Sequence, residues 1–159
     1  DMGVVCCLST AEFEKDFSVI RIFKDRIVLI VSEDHKLAGR KSVKLEELAG
    51  EDIVYPDCSD NMSEIYRRLC TKVGQEPSRM RFLDQEDQMS RVKWNFSISF
   101  CSKYGVGSDL PECFKQIEIE GEDTEFSVAL IWRKDDANPC ISEFISAMDT
   151  YFPDYEWIE

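Results

Sequence analysis

Residues 23–48, FKDRIVLIVSEDHKLAGRKSVKLEEL, decide the fold by the order of their parts. Residues 27–31 are apolar without interruption, the pattern of a strand covered on both faces and therefore central in its sheet. A charged turn follows and holds the only histidine, His35. Leu37, Ala38 and Gly39 make a small-residue step, after which a short helix is expected to end near Gly50. Residues 17–23 and 26–32 read as two strands joined at Lys24 and Asp25, with His35 exposed in the turn beyond them.

Outward from that stretch, strand and helix signals alternate, which predicts an α/β domain. Residues 2–6 form a first strand, and residues 52–55 a short one that stops at Pro56. Over residues 60–73, Met62, Ile65, Leu69 and Val73 recur at helical spacing on one face. Asn61 with Glu64 resembles a capping pair, and Gly74 stands where a left-handed cap belongs. Strand residues 80–83 precede a helix capped by Asp84 and running to about Trp94, with Met89 and Val92 inward. Residues 96–101, 116–120 and 126–132 read as further strands. Asn138 and Pro139 open a last helix that carries Ile141, Phe144, Ile145 and Met148. Tyr66, Trp94 and Trp132 are expected to pack in the core or between lobes and not to stack on a ligand.

The composition narrows the function. The chain has 159 residues, 43% hydrophobic and 11% aromatic, enough for a packed core. Its 19 basic and 32 acidic residues give a net charge of −13, which repels phosphate backbones and anionic membranes. No run of about 18 apolar residues offers a membrane span. The seven cysteines are odd in number and unpatterned, which suits a reducing cytoplasm better than a disulfide framework.

Catalytic equipment is sparse. His35 is better explained as a turn residue than as a base, and Cys6 and Cys7 close a strand without a basic neighbour in sequence to activate a thiol. No C-x-x-C occurs, and Gly105-Val106-Gly107 is too short for a phosphate fingerprint. Neither a cofactor nor a metal is expected.

Taken together, the pieces resemble the effector-binding (substrate-binding) domain of LysR-type transcriptional regulators. Asp1-Met2-Gly3-Val4-Val5 is similar to that domain's "lDvgi" strand, residues 23–48 to its "hPLA" turn and "sv.l.eL" helix, and Ile53-Val54-Tyr55 to its first crossover strand. Residues 97–99 stand at its "GlGi.llP" strand, and VALIWRKDD (128–136) resembles its closing "l.wrkd" strand. The chain departs from the pattern at Lys36, Asn95, Ser97 and Ser102, which stand where the family has proline, glycine, glycine and proline.

The resemblance implies two Rossmann-like α/β lobes joined by two crossovers, like type II periplasmic binding proteins. Lobe I would be residues 1–52 and 122–159, and lobe II residues 53–121. The domain's first strand and helix, and the helix-turn-helix that binds DNA, would be absent from this piece. A small polar effector would lie between the lobes, and the intact cytoplasmic regulator would self-associate through lobe I.

The positions matching the effector cleft are Cys6, Cys7, Tyr55, Asp57, Cys58, Ser59, Asn95, Phe96, Ser97 and Ser99. Ser59, Asp60 and Asn61 are explained equally well as caps of the helix they open. Asp57 and Asp60 without an arginine favour a neutral or partly cationic effector over a dicarboxylate. Two rival readings fit the same residues: an extracytoplasmic solute-binding protein of the same fold, and an enzyme using Cys7 or His35.

Overall fold

The computed structural model describes residues 1–58, 60–107, 110–151 and 156–158. In chain order the strands are β1 (Met2–Cys7), β2 (Phe17–Ser32), β3 (Ser42–Val43), β4 (Ile53–Pro56), β5 (Arg81–Leu83), β6 (Ile98–Ser102), β7 (Phe114–Ile119), β8 (Glu125–Arg133) and β9 (Glu156–Ile158). The helices are α1 (Asp60–Val73), α2 (Gln85–Lys93), α3 (Lys103–Val106) and α4 (Pro139–Tyr151), with short 3₁₀ turns between elements. By contact the chain divides into two compact units, Asp1–Asp25 with Phe126–Glu159, and Arg26–Glu125.

In unit 1, β1 pairs antiparallel with β8 from Met2↔Trp132 to Cys7↔Ser127. The first part of β2 neighbours β8 and takes β9 at Val19↔Ile158. Ile20, Leu130 and Trp132 meet Ile141 and Met148 of α4 in one apolar cluster. Asn138 caps α4, accepting from the Cys140 N–H at 3.0 Å, as expected. Phe144 differs, being 52% exposed, because the buried stripe of α4 runs through Ile141 and Met148 instead.

Unit 2 is built on the second part of β2, which pairs antiparallel with β6 on one side and β7 on the other. That double pairing makes it the central strand, and Ile27 to Val31, whose side chains alternate between the two covered faces, are fully buried. Beyond β6 come β4 and β5, both parallel to it in direction. Tyr55 and Phe100 join Tyr66 of α1 on one face. Val28, Ile30, Val54 and Cys101 meet Val92 of α2 in a separate cluster on the other.

Two expectations about the opening stretch change. Residues 17–32 are a single 16-residue strand, because neither Lys24 nor Asp25 interrupts the ladder that neighbours impose on both halves. The compact units divide within this strand, after Asp25. Residues 26–52 fall with unit 2 since β2 supplies its central strand. His35 is also less exposed than expected: its side chain is 10% accessible, with Nε2 3.7 Å from Glu51 and Nδ1 accepting from the Leu37 N–H at 3.3 Å. It clasps the turn to the start of β4.

Candidate functional site

β4, β5 and β6 run in the same direction, with Val54↔Arg81 to Pro56↔Leu83 on one side of β4 and Ile53↔Ile98 on the other. Their carboxyl ends therefore lie along one edge of unit 2, and the Asp57 N–H donates to Leu83 O at 2.7 Å to tie two of them together. Carrying the β4–β6 register forward sets Asp57 level with Ser102. β4 leads into α1 and β5 into α2, and these helices pack on opposite faces of the sheet. Strand order thus reverses about β4, and open parallel sheets bind ligands at the carboxyl ends beside such a reversal.

The edge is polar and acidic. Asp57 and Asp60 are exposed, and the half-buried Cys58 thiol lies 3.5 Å from Ser63 Oγ. Burial raises the Cys58 pKa, and the Asp57 and Asp60 carboxylates add to that against the Ser63 hydrogen bond. Asp84 caps α2 by accepting from the Asp87 N–H at 2.9 Å. Ser102 accepts from the Gly105 N–H at 3.0 Å, and Lys103 Nζ donates to Glu118 Oε1 at 2.7 Å. Ser59 lies outside the described residues.

The candidates read from sequence do not all meet here. Asn95, Phe96 and Ser97 precede β6, at the end of the parallel strands opposite Asp57 and Cys58. There Ser97 Oγ donates to Asp52 Oδ2 at 2.5 Å, and Arg81 pairs with the same carboxylate. Asn95, at φ 58°, is the left-handed residue ending α2, and the Phe96 N–H closes the motif on Arg91 O at 3.0 Å. Phe96 is 69% exposed and Trp94 66%, so Trp94 is not the packed core or lobe aromatic expected.

Tyr55 and Ser99 are core residues. Tyr55 is fully buried among Tyr66, Phe82 and Phe100. Its hydroxyl sits beside the Cys70 thiol without a well-formed hydrogen bond, and burial first, then Cys70, pushes its pKa up. Ser99 Oγ donates to Val54 O at 3.0 Å and accepts from Gln88 Nε2 at 2.6 Å. Cys6 and Cys7 belong to unit 1. Cys7 is buried, and desolvation, helped by Glu12 and Cys6 against Arg21, pushes its pKa to about 11. The fold does bring it a basic neighbour in Arg21, but burial prevails.

Sequence reasoning passed over Asp84 and Lys103. Asp84 was legible only as a cap, and Lys103 only as the residue after Ser102. Both join the edge because the three strands are parallel, which residue order alone does not state.

Residues 5–153 match the family model described as the LysR substrate binding domain. The chain belongs to that family. A curated relative is the uncharacterized HTH-type transcriptional regulator YwbI of Bacillus subtilis (strain 168), 26% identical over 136 residues. The alignment covers 85% of this chain and 44% of YwbI, so the chain spans less than half the length of that relative. The regulatory domain of CcmR from Synechocystis PCC6803, solved with 2-PG, superposes with TM-score 0.76 at 14% identity, covering 97% of this chain and 74% of that one. The effector binding domain of QuiR, solved with shikimate, gives TM-score 0.71 at 19% identity, covering 94% and 71%. The LysR substrate binding domain is therefore the fold as well as the family of this chain.

Proposed function

We propose that this LysR substrate binding domain senses a small polar metabolite for a cytoplasmic transcription regulator without transforming it. The parallel carboxyl edge formed by β4, β5 and β6 carries the reading, with Asp57 and Cys58 as its ligand-facing residues. Tyr55 and Ser99 are committed to the core, and Asn95, Phe96 and the Asp52-bound Ser97 stand at the opposite strand ends. DNA contact belongs to another part of the intact regulator, since a −13 chain repels phosphates. Self-association through lobe I is part of the same proposal.

A non-catalytic role fits the thiols and the histidine. With a pKa near 11, Cys7 is protonated at neutral pH and a poor nucleophile. His35 is spent on the Glu51 clasp. Among the described residues no cluster of three or more His, Cys, Asp or Glu is arranged to hold a metal ion, and no helix is long and apolar enough to cross a membrane. Nothing in the comparisons favours the solute-binding protein.

The acidic edge differs in charge from what shikimate or 2-PG would require. Asp57, Asp60 and Asp84 favour neutral or cationic polar ligands. Titration calorimetry with matched panels of neutral, cationic and dicarboxylate metabolites tests this. Binding should come from the first two panels, and Asp57→Asn should weaken a cationic ligand about tenfold, the scale of one charge-assisted hydrogen bond. Tight binding confined to dicarboxylates would overturn the assignment.

A further inference from the structure

The chain leaves unit 2 at two points, before Arg26 on β2 and after Glu125 on β8, and one ionic cluster lies at both. Arg26 Nη1 is 3.6 Å from Glu118 Oε2, and Arg26 Nη2 is 3.6 Å from Glu125 Oε1. Glu118 also accepts from Lys103 Nζ at 2.7 Å through its other oxygen. The four side chains alternate in sign, Lys103, Glu118, Arg26, Glu125, and all belong to unit 2.

The backbone explains how they meet. β2 lies between β6 and β7, with Ile27 opposite Ser102 and Val28 opposite Glu118. Lys103, one residue past Ser102, is thereby brought level with Arg26. Glu118 reaches from β7 to both cations. Lys103 is also the last residue of the polar edge described above, so one end of the cluster stands at that edge and the other at the strand crossings.

We propose that this cluster couples occupancy of the carboxyl edge to the two crossing strands, with Lys103 as the residue that reports occupancy. Glu118 divides its charge between Lys103 and Arg26, and Arg26 stands between Glu118 and Glu125. A ligand group that draws Lys103 away leaves Glu118 to Arg26 alone. Arg26 then moves towards Glu118 and loosens from Glu125, which frees the start of β8. The proposal rests on the reading of the edge as a ligand site, but its test needs no ligand and can fail by itself.

Hydrogen–deuterium exchange of the full chain reads the outcome at residues 22–30 and 121–128. Arg26→Met should speed exchange about two- to fivefold in both segments, the scale of partly exposed ion pairs. Lys103→Met should speed residues 121–128 by a similar factor, and the double variant should match Arg26→Met alone. Arg81→Met breaks a pair on β5 away from the crossings and should leave both segments unchanged. The proposal is overturned if Lys103→Met leaves residues 121–128 untouched, if the double variant is additive, or if Arg81→Met loosens them equally.

Discussion

Asn95 shows how a single backbone angle separates scaffold from site. At φ 58° it ends α2 with the Asn95 N–H on Val92 O and the Phe96 N–H on Arg91 O, the pattern that glycine serves at Gly74 after α1. Asn tolerates that region, whereas a β-branched residue does not. Asn95→Val should cost about 1–2 kcal/mol in urea unfolding, and Asn95→Gly should cost nothing. A full-cost glycine variant would show that the Asn side chain, and not its backbone, matters. Ser99 gives a second case. Ser99→Ala removes the acceptor that Gln88 Nε2 meets at 2.6 Å inside the core and should destabilise by about 1–3 kcal/mol. Ligand affinity should stay as it is, and a loss of binding without loss of stability would return Ser99 to the site.

At the scale of elements, the legible parts were those whose signals are local. Residues 60–73 read correctly as α1 since Met62, Ile65, Leu69 and Val73 mark one face and Gly74 its end. Asp84 and Asn138 announced their helices through side-chain caps. The continuity of β2 through Lys24 and Asp25 was not legible, because it is imposed by partners distant in sequence. Placing Asn95 beside Asp57 failed for the same reason: parallel β4 and β6 send the start of one to the start of the other. The start of that pair is held by Asp52, which accepts from Ser97 Oγ and pairs with Arg81. Burial acts to raise the Asp52 carboxyl, but the Ser97 hydrogen bond, Arg81 and the Arg91 charge together hold it below its usual range. A carboxyl depressed on folding stabilises above its unfolded pKa, near 4, and that contribution is lost as pH falls through the folded value. Asp52→Asn should flatten the stability profile below about pH 4 and leave its shape above pH 6 unchanged. An unaltered acid limb would show that Arg81 is too solvated to matter.

For the molecule as a whole, the family fixes the fold, while the direction of three strands selects the edge. Of the described residues that sequence resemblance gathered into one cleft, Tyr55 and Ser99 are in the core, Asn95 ends a helix, and Asp57 and Cys58 stand at that edge. In the proposed site Asp57 and Cys58 remain, and Asp84 and Lys103 join them. Backbone amide shifts during titration with the neutral and cationic metabolite panels test this most directly. The account predicts saturable shifts at residues 56–60, 83–85 and 102–104, with residues 94–97 still. Shifts centred on 94–97 and Asp52, or none with any member of either panel, would contradict it.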